Sequence, residues 1–353
     1  MKRLNINLDK NKYEILMENG IISNAGKEIK KIYQGVNIAV ITDENVYEIF
    51  GEALEKSLIM NNFNPNFIKV KPGEASKSLD TLKSVYTNLV VQGITRGDLI
   101  IALGGGVVGD LAGFAAATYL RGIAYVQIPT SLLAQIDSSI GGKVAVNLEE
   151  GKNLVGSFYH PKVVLIDPTA LNSLPDKFIK DGLGEAVKYG CIKDEELFNI
   201  LNNIKSKEEL FENIEDIIFK CCSIKKQAVE MDEKDLGERM LLNFGHTIGH
   251  AIEKYYNYEN YSHGQAISIG MYNITQKSEE LGYTEQGTAE KIKMILTNLD
   301  INYIMPIVNM DTIRKSVHLD KKNISGNINI ILIKEIGNSF IESVPVNNIE
   351  KFI

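Results

Sequence analysis

The stretch Asp98-Leu99-Ile100-Ile101-Ala102-Leu103-Gly104-Gly105-Gly106-Val107-Val108-Gly109-Asp110 limits the fold more than any other part of the chain. From Leu99 to Leu120 the only charge is Asp110, and the length superficially suits a membrane span. Three consecutive glycines break the run and an acid sits in its middle, so a buried strand, a tight turn and a buried helix account for it better. Such a turn can cradle a phosphate. The bare backbone approaches closely, and the helix N-terminus offers free N–H groups with a partial positive charge. The spacing is not the usual dinucleotide fingerprint, and the turn does not follow the first strand. The competing role for the glycines is tight strand–helix packing. Asp110 tells against it, because a buried carboxylate needs a partner.

Around this segment the first 170 residues alternate. Short runs rich in Val and Ile predict strands over Leu4–Leu8, Tyr13–Met17, Val36–Thr42, Phe67–Lys71, Asp98–Leu103, Ala124–Ile128 and Val163–Ile166. Helical periodicity predicts helices over Glu44–Met60, Leu79–Gln92 and Val107–Thr118. The alternation predicts a Rossmann-like α/β domain with a mostly parallel sheet, whose ligands gather at the carboxyl ends of strands. After Pro168 the pattern turns helical: Asp176–Gly190, Glu208–Met231, Glu238–Tyr256, Gly264–Leu281 and Glu285–Leu299, with one late strand at Asn327–Lys334. The expected plan is an α/β nucleotide-binding domain over 1–170 and a mainly α-helical domain over 171–353. A chain of 353 residues suits two domains.

Composition narrows the class. With 44% hydrophobic residues the chain can build sizeable cores. The net charge of −7 and the absence of any block of like charge argue against nucleic-acid and membrane partners. An anionic substrate then needs a local basic pocket. Cys191, Cys221 and Cys222 form no disulfide framework, which favours a reducing cytoplasm, and the first residues do not read as a signal peptide.

Several polar segments interrupt apolar ones. Thr42-Asp43-Glu44-Asn45 and Pro72-Gly73-Glu74 with Lys77 both end predicted strands, where acids and amides can hold a ribose, although turns and caps use the same residues. Asp137-Ser138-Ser139-Ile140-Gly141-Gly142-Lys143 and Gly151-Lys152-Asn153 suit a phosphate or polyol, or a solvated loop. Asn243-Phe244-Gly245-His246-Thr247-Ile248-Gly249-His250 places two histidines four residues apart. On a continuous helix Arg239, Asn243, His246 and His250 would form one polar stripe. His263 follows at a predicted helix start, and Glu185, with Lys188 one turn on, supplies a carboxylate. Two imidazoles, one carboxylate and open positions make a catalytic zinc-type site. Spacing alone permits His246 with His250 as readily as His246 with His263.

Taken together and in order, these motifs resemble the 3-dehydroquinate synthase family across nearly the whole chain, including Asp320-Lys321-Lys322. The one small departure is Thr130-Ser131, where the family has two threonines; serine keeps the hydroxyl. The resemblance implies a dehydroquinate synthase-like fold with NAD bound between the domains. Its site would comprise Asp43, Asn45, Gly73, Glu74, Lys77, Gly105, Gly106, Val107, Val108, Gly109, Asp110, Thr130, Ser131, Lys143, Lys152, Leu171 and Ser173. It implies zinc or cobalt on Glu185, His246 and His263, which moves His250 to the substrate. Arg121, Asp137, Lys143, Asn153, Lys188, Lys225, Arg239, Asn243, His250 and one lysine of Lys321-Lys322 would bind or act on that substrate. Arg121 would reach across a homodimer interface. The implied substrate is 3-deoxy-D-arabino-heptulosonate 7-phosphate, and the implied reaction is a phosphate lyase of the shikimate pathway in which NAD ends as it began. Two alternatives share part of this machinery: a sugar phosphate cyclase closing a different carbocycle, and a metal-dependent polyol dehydrogenase. A third is an inactive NAD-binding regulator.

Overall fold

The computed structural model describes residues 1–9, 11–307, 309, 323–324 and 326–353. The chain divides into two compact units, Met1–Pro175 and Asp176–Ile353.

The first unit runs β1 (Lys2–Asn7), β2 (Lys12–Met17), α1 (Ala25–Ile32), β3 (Asn37–Asp43) and α2 (Glu44–Val46). A π-helical turn, Tyr47–Gly51, joins α2 to α3 (Glu52–Met60). Then come β4 (Asn64–Val70), α4 (Leu79–Val91), β5 (Leu99–Gly104), α5 (Gly106–Thr118), β6 (Ala124–Pro129), β7 (Lys143–Leu148), β8 (Gly151–Phe158) and β9 (Val163–Ile166). Seven strands form one sheet in the order β1-β2-β9-β6-β5-β3-β4. All neighbours are parallel except the β1–β2 hairpin.

Every residue of β5 is buried, as expected for a strand covered on both faces. Its side chains alternate between two cores. Ile100 and Ala102 pack with Leu82 and Val85 of α4 and Leu111 and Phe114 of α5. Leu99, Ile101 and Leu103 pack with Ile29 of α1 and Leu54 and Leu58 of α3. Strand β3 lies between β4 and β5, so the chain reverses its direction of sheet growth there. Ligands of open α/β sheets bind at the carboxyl ends of the strands flanking such a switch. Here those ends are Asp43 and Gly104.

The second unit contains α6 (Asp176–Lys193), α7 (Glu195–Asn203), α8 (Lys207–Met231), α9 (His246–Tyr255), α10 (His263–Glu280) and α11 (Thr288–Asn298). An antiparallel sheet follows: β10 (Asn323–Ile324), β11 (Asn327–Glu335) and β12 (Asn338–Pro345). Helix α10 packs against α6, α9 and α11. No helix among the described residues is long and apolar enough to cross a membrane.

Several expectations need correction. The single helix expected over Glu238–Tyr256 is two pieces, a 3-10 turn at Glu238–Asn243 and then α9. Gly245 separates them with φ +77°, a left-handed conformation that ends helical propagation. The polar stripe through Arg239, Asn243, His246 and His250 therefore does not exist as one helix face. The run Gly151-Lys152-Asn153 opens β8 of a hairpin rather than forming a loop. Helix α11 begins three residues later than expected, after Gly287 at φ +89°. Helices α1 and α7 and strand β12 had no distinct signal in the periodicity.

Candidate active site

In the second unit three helices carry one cluster. Glu185 and Lys188 stand one turn apart on α6, and both are buried. His246 is the first residue of α9 and His263 the first of α10. What brings them together is backbone contact at glycines. A Cβ on Gly184 would lie 2.6 Å from the Gly264 carbonyl oxygen, and one on Gly264 would lie 2.0 Å from that of Asp181. Helices α6 and α10 therefore meet without side chains between them, each beside a residue of the cluster. Asp181 accepts the Gly264 N–H at 2.5 Å, and Ser262 caps α10 in a reciprocal capping box with Gln265.

The donor atoms converge. His246 Nε2 lies 3.4 Å and His263 Nε2 3.2 Å from Glu185 Oε1. With metal bonds of about 2.0–2.2 Å, two corners of a tetrahedron are about 3.3–3.6 Å apart. The spacing thus fits three ligands of one tetrahedral ion. Glu185 Oε2 pairs by charge with Lys188 but receives no hydrogen bond although buried. The other ring nitrogens face acceptors: His246 Nδ1 lies 3.0 Å from the Phe244 carbonyl, and His263 Nδ1 3.5 Å from Glu253 Oε2. Such partners fix the ring and aim the free lone pair. A second set of donors, His250, Glu253 and His263, also lies close enough to share an ion. The two sets share His263. In the set with Glu185, two imidazole Nε2 atoms lie within 3.4 Å of one buried carboxylate oxygen.

Charge follows the geometry. Burial works to raise the Glu185 carboxyl. The Lys188 ammonium and bonds to His246 and His263 outweigh it and hold the group well below the usual carboxylate range. Burial pushes His246 down. Burial also acts against charge on His263, yet Glu185 and Glu253 raise it well above its ordinary value.

In the same unit Asp232 follows α8 as its C-cap. Its carboxylate accepts the backbone N–H groups of Leu236, Gly237 and Arg239 at 3.1, 2.6 and 3.3 Å. Burial opposes ionisation of Asp232, but these bonds and the Arg239 charge leave it lowered. The loop so tied buries Arg239, whose Nη1 donates to the Glu233 carbonyl at 2.6 Å. Asn243 closes the same 3-10 turn. Lys225 is buried on α8. His250 is exposed, its ring 5.2 Å from that of His246. Lys321 and Lys322 lie outside the described residues. Asp181, Asp232 and Glu253 escaped the sequence reading; Asp232 just follows α8 and Glu253 lies in the last turn of α9, where an acid reads as an ordinary solvated residue.

In the first unit the glycine turn is lined by hydroxyls. A Cβ on Gly105 would stand 3.3 Å from Ser131 Oγ, and one on Gly106 3.0 Å from Ser138 Oγ. The Thr130 N–H donates to the Gly104 carbonyl at 3.0 Å, holding the end of β6 beside the turn. No side chain caps α5, so the amides of its first turn, Gly106 to Val108, are left without a side-chain acceptor beside these hydroxyls. Gly109 passes Gln127 at a similar distance. One turn inside α5, Asp110 pairs with Lys77. Burial raises the Asp110 carboxyl, and the Lys77 charge only partly offsets this. Lys77 also donates to Asn153 Oδ1 at 2.5 Å. Asn147 completes the cluster: it donates to Glu74 Oε1 at 2.7 Å and accepts the Asn153 N–H at 2.9 Å. The β7–β8 hairpin thereby clamps the turn after Gly73, and Asn147 is a member the sequence did not flag.

Other expected residues have local roles. Asp43 caps α2 by accepting the Val46 N–H, with Asn45 inside that helix. Leu171 is buried in the 3-10 turn Pro168–Ser173, where Ser173 bonds to the Ala170 carbonyl. Asp137 lies in the π-helical turn Ala134–Ser138, Lys143 begins β7, Lys152 is in β8, and Arg121 ends a 3-10 turn with φ +66°.

Both halves have known counterparts. Residues 67–181 match the model of the 3-dehydroquinate synthase N-terminal domain, and residues 182–323 that of the C-terminal domain. A 3-dehydroquinate synthase from Clostridium botulinum (strain Alaska E43 / Type E3) is 54% identical over 352 residues, covering 100% of both chains. The fold is shared with two sugar phosphate cyclases. One is a 2-epi-5-epi-valiolone synthase from Streptomyces hygroscopicus subsp. jinggangensis 5008 with NAD+ and Zn2+ bound (TM-score 0.88, 24% identity, 98% of this chain and 96% of that one). The other is a 2-deoxy-scyllo-inosose synthase complexed with carbaglucose-6-phosphate, NAD+ and Co2+ (TM-score 0.86, 23% identity, 100% of both chains). Full-length identity above one half, on top of a glycine turn and a carboxylate–imidazole cluster, leaves one assignment: the chain belongs to the 3-dehydroquinate synthase family.

Proposed function

We propose that this chain is an NAD- and metal-dependent lyase that converts 3-deoxy-D-arabino-heptulosonate 7-phosphate to 3-dehydroquinate and phosphate, a step of the shikimate pathway. The observation that carries the reading is the convergence of His246 Nε2 and His263 Nε2 on Glu185 Oε1 beside Lys188. Bound NAD supplies transient oxidation at C5 of the sugar, and a bound zinc or cobalt supplies Lewis acidity toward its oxygens.

The residues themselves do the rest. Glu185, His246 and His263 hold the ion. The bare backbone at Gly105 and Gly106 admits the pyrophosphate against the first amides of α5, with Ser131 and Thr130 at its rim. Asp43, Asn45, Gly73, Glu74, Lys77, Asp110, Lys143, Lys152, Leu171 and Ser173 complete the cofactor site. Arg239 and Asn243 bind the substrate carboxylate, Arg239 by the paired N–H geometry that suits it. Lys188, Lys225, His250, Asp137, Lys143 and Asn153 bind its hydroxyls and phosphate, and Arg121 is contributed across a homodimer interface. Residues 1–170 serve NAD and residues 171–353 serve metal and substrate. Cys191, Cys221 and Cys222, buried and not joined in disulfides, suit a reducing cytoplasm.

The test is product identification by NMR with the heptulosonate phosphate, NAD and zinc. The expected outcome is dehydroquinate and stoichiometric phosphate, no net NADH, and no turnover after chelation. A different carbocycle or steady NADH accumulation would refute the proposal. Light scattering checks the dimer.

A further inference from the structure

We infer that Glu253 is a positioning residue for the metal site: it selects the tautomer and ring orientation of His263. This rests on the metal reading proposed above. Glu253 lies seven residues after His246 on α9, and hence on the same helix face. It is almost fully buried, and a buried carboxylate is costly unless it is partnered. Its Oε2 stands 3.5 Å from His263 Nδ1, long for a hydrogen bond but on the ring nitrogen opposite the one aimed at Glu185. A neutral imidazole has one N–H and one lone pair. A carboxylate at Nδ1 can only accept, so the proton is kept there and the Nε2 lone pair is left toward Glu185.

The two histidines are steered by different devices. His246 is buried, and its Nδ1 faces a backbone carbonyl, Phe244, fixed by the turn at Gly245. The His263 side chain is 30% exposed. Its backbone is pinned by Asp181 and the Ser262 cap, but neither contact restrains its ring. The ring also meets those of His246 and His250, with centroids 5.2 and 6.0 Å away, but ring packing leaves the tautomer open; the acceptor at Nδ1 that sets it is Glu253.

The test compares wild type with Glu253→Gln and Glu253→Ala, each as metal-free full-length protein. Zinc affinity is read by competition with a chelator, cobalt(II) geometry by its visible spectrum, and folding by melting of the metal-free form. Zinc affinity is expected to fall about 10- to 100-fold in Glu253→Ala, and less in Glu253→Gln, whose amide oxygen accepts the same N–H. The cobalt spectrum should shift in Glu253→Ala and be largely restored in Glu253→Gln. Wild-type affinity and spectrum in both variants would overturn the inference while leaving the proposed function standing. A second zinc equivalent in wild type that both variants lose would also overturn it, making Glu253 a ligand with His250. A wild-type protein that binds no zinc overturns both readings at once.

Discussion

Gly264→Ala is the most demanding perturbation this arrangement offers. The added methyl would sit 2.0 Å from the Asp181 carbonyl oxygen, 2.7 Å from its carbon and 2.8 Å from its Cα. These are backbone atoms of α6 and have no rotamer to swing aside. Ordinary contact begins at 3.4 Å, so α10 must retreat from α6 by about 1.4 Å at this point. The neighbouring residue is His263, whose Nε2 is 3.2 Å from Glu185 Oε1. Ligand distances tolerate only about 0.2 Å of error, so the retreat is several times what the site can absorb. Overpacking of this kind costs about 1–3 kcal/mol, which for a unit of this size is a fall of about 2–12 °C in Tm. Metal-free protein should therefore melt lower, and zinc titration should show weakened binding beyond what the melting loss explains. Gly97→Ala is the control, because its nearest neighbour would be the Thr95 hydroxyl at 3.9 Å and its φ is not positive. Wild-type melting and wild-type zinc affinity in Gly264→Ala would refute the claim that the glycine crossing sets the ligand geometry.

Three further predictions follow from separate parts of the molecule. His263→Ala should lose its metal, whereas His250→Ala should retain it and lose turnover; full occupancy by elemental analysis in His263→Ala would move the third ligand to His250. Asp232→Ala should lose about 1–3 kcal/mol by freeing three backbone N–H groups and should raise KM through a displaced Arg239. Because the Asp232 carboxyl is lowered on folding, its stabilisation is present above its unfolded value and is lost as pH falls through the folded one. Asp232→Asn should therefore flatten the acid limb of a denaturation series, and an unchanged limb would sink that account. Lys77→Ala should destabilise the first unit by about 3–5 kcal/mol because it strands the Asp110 charge, and adding Asp110→Asn should restore much of the loss. Urea unfolding reads both, and additive losses in the double variant would count against a direct pair.

The elements legible in the sequence were those with one dominant local signal. The apolar run into Gly104-Gly105-Gly106 specified β5 and α5 because a fully buried parallel strand cannot carry polar residues. Helices α6, α8 and α10 read out of long periodicity. The stretch from Glu238 to Tyr256 misled because its apolar spacing suits a helix on both sides of Gly245, whereas the extended Phe244 and the left-handed Gly245 break it. Tertiary contact also requires glycine there: a Cβ would lie 2.6 Å from the Ile267 carbonyl on α10. Asn147 was invisible for a similar reason, since its partners Glu74 and Asn153 are chosen by hairpin registry and not by spacing.

The same physics explains why the proposed ligand set could not be chosen from spacing. His246 and His250 share a helix, so spacing permits them as a pair, yet their side chains end differently. His246 sits at the buried start of α9 with its Nδ1 held by Phe244, while His250, one turn on, is exposed. Glu185 and His263 are far apart in sequence and meet only because Gly184 and Gly264 let two backbones touch. A metal site needs each donor placed to a few tenths of an ångström. Helical spacing sets direction to within a face, whereas contact between bare backbones sets distance. In this chain the glycines beside the proposed ligands carry that second kind of information. Reading Gly-Glu at 184–185 and His-Gly at 263–264 as paired crossing points would have favoured His263 over His250.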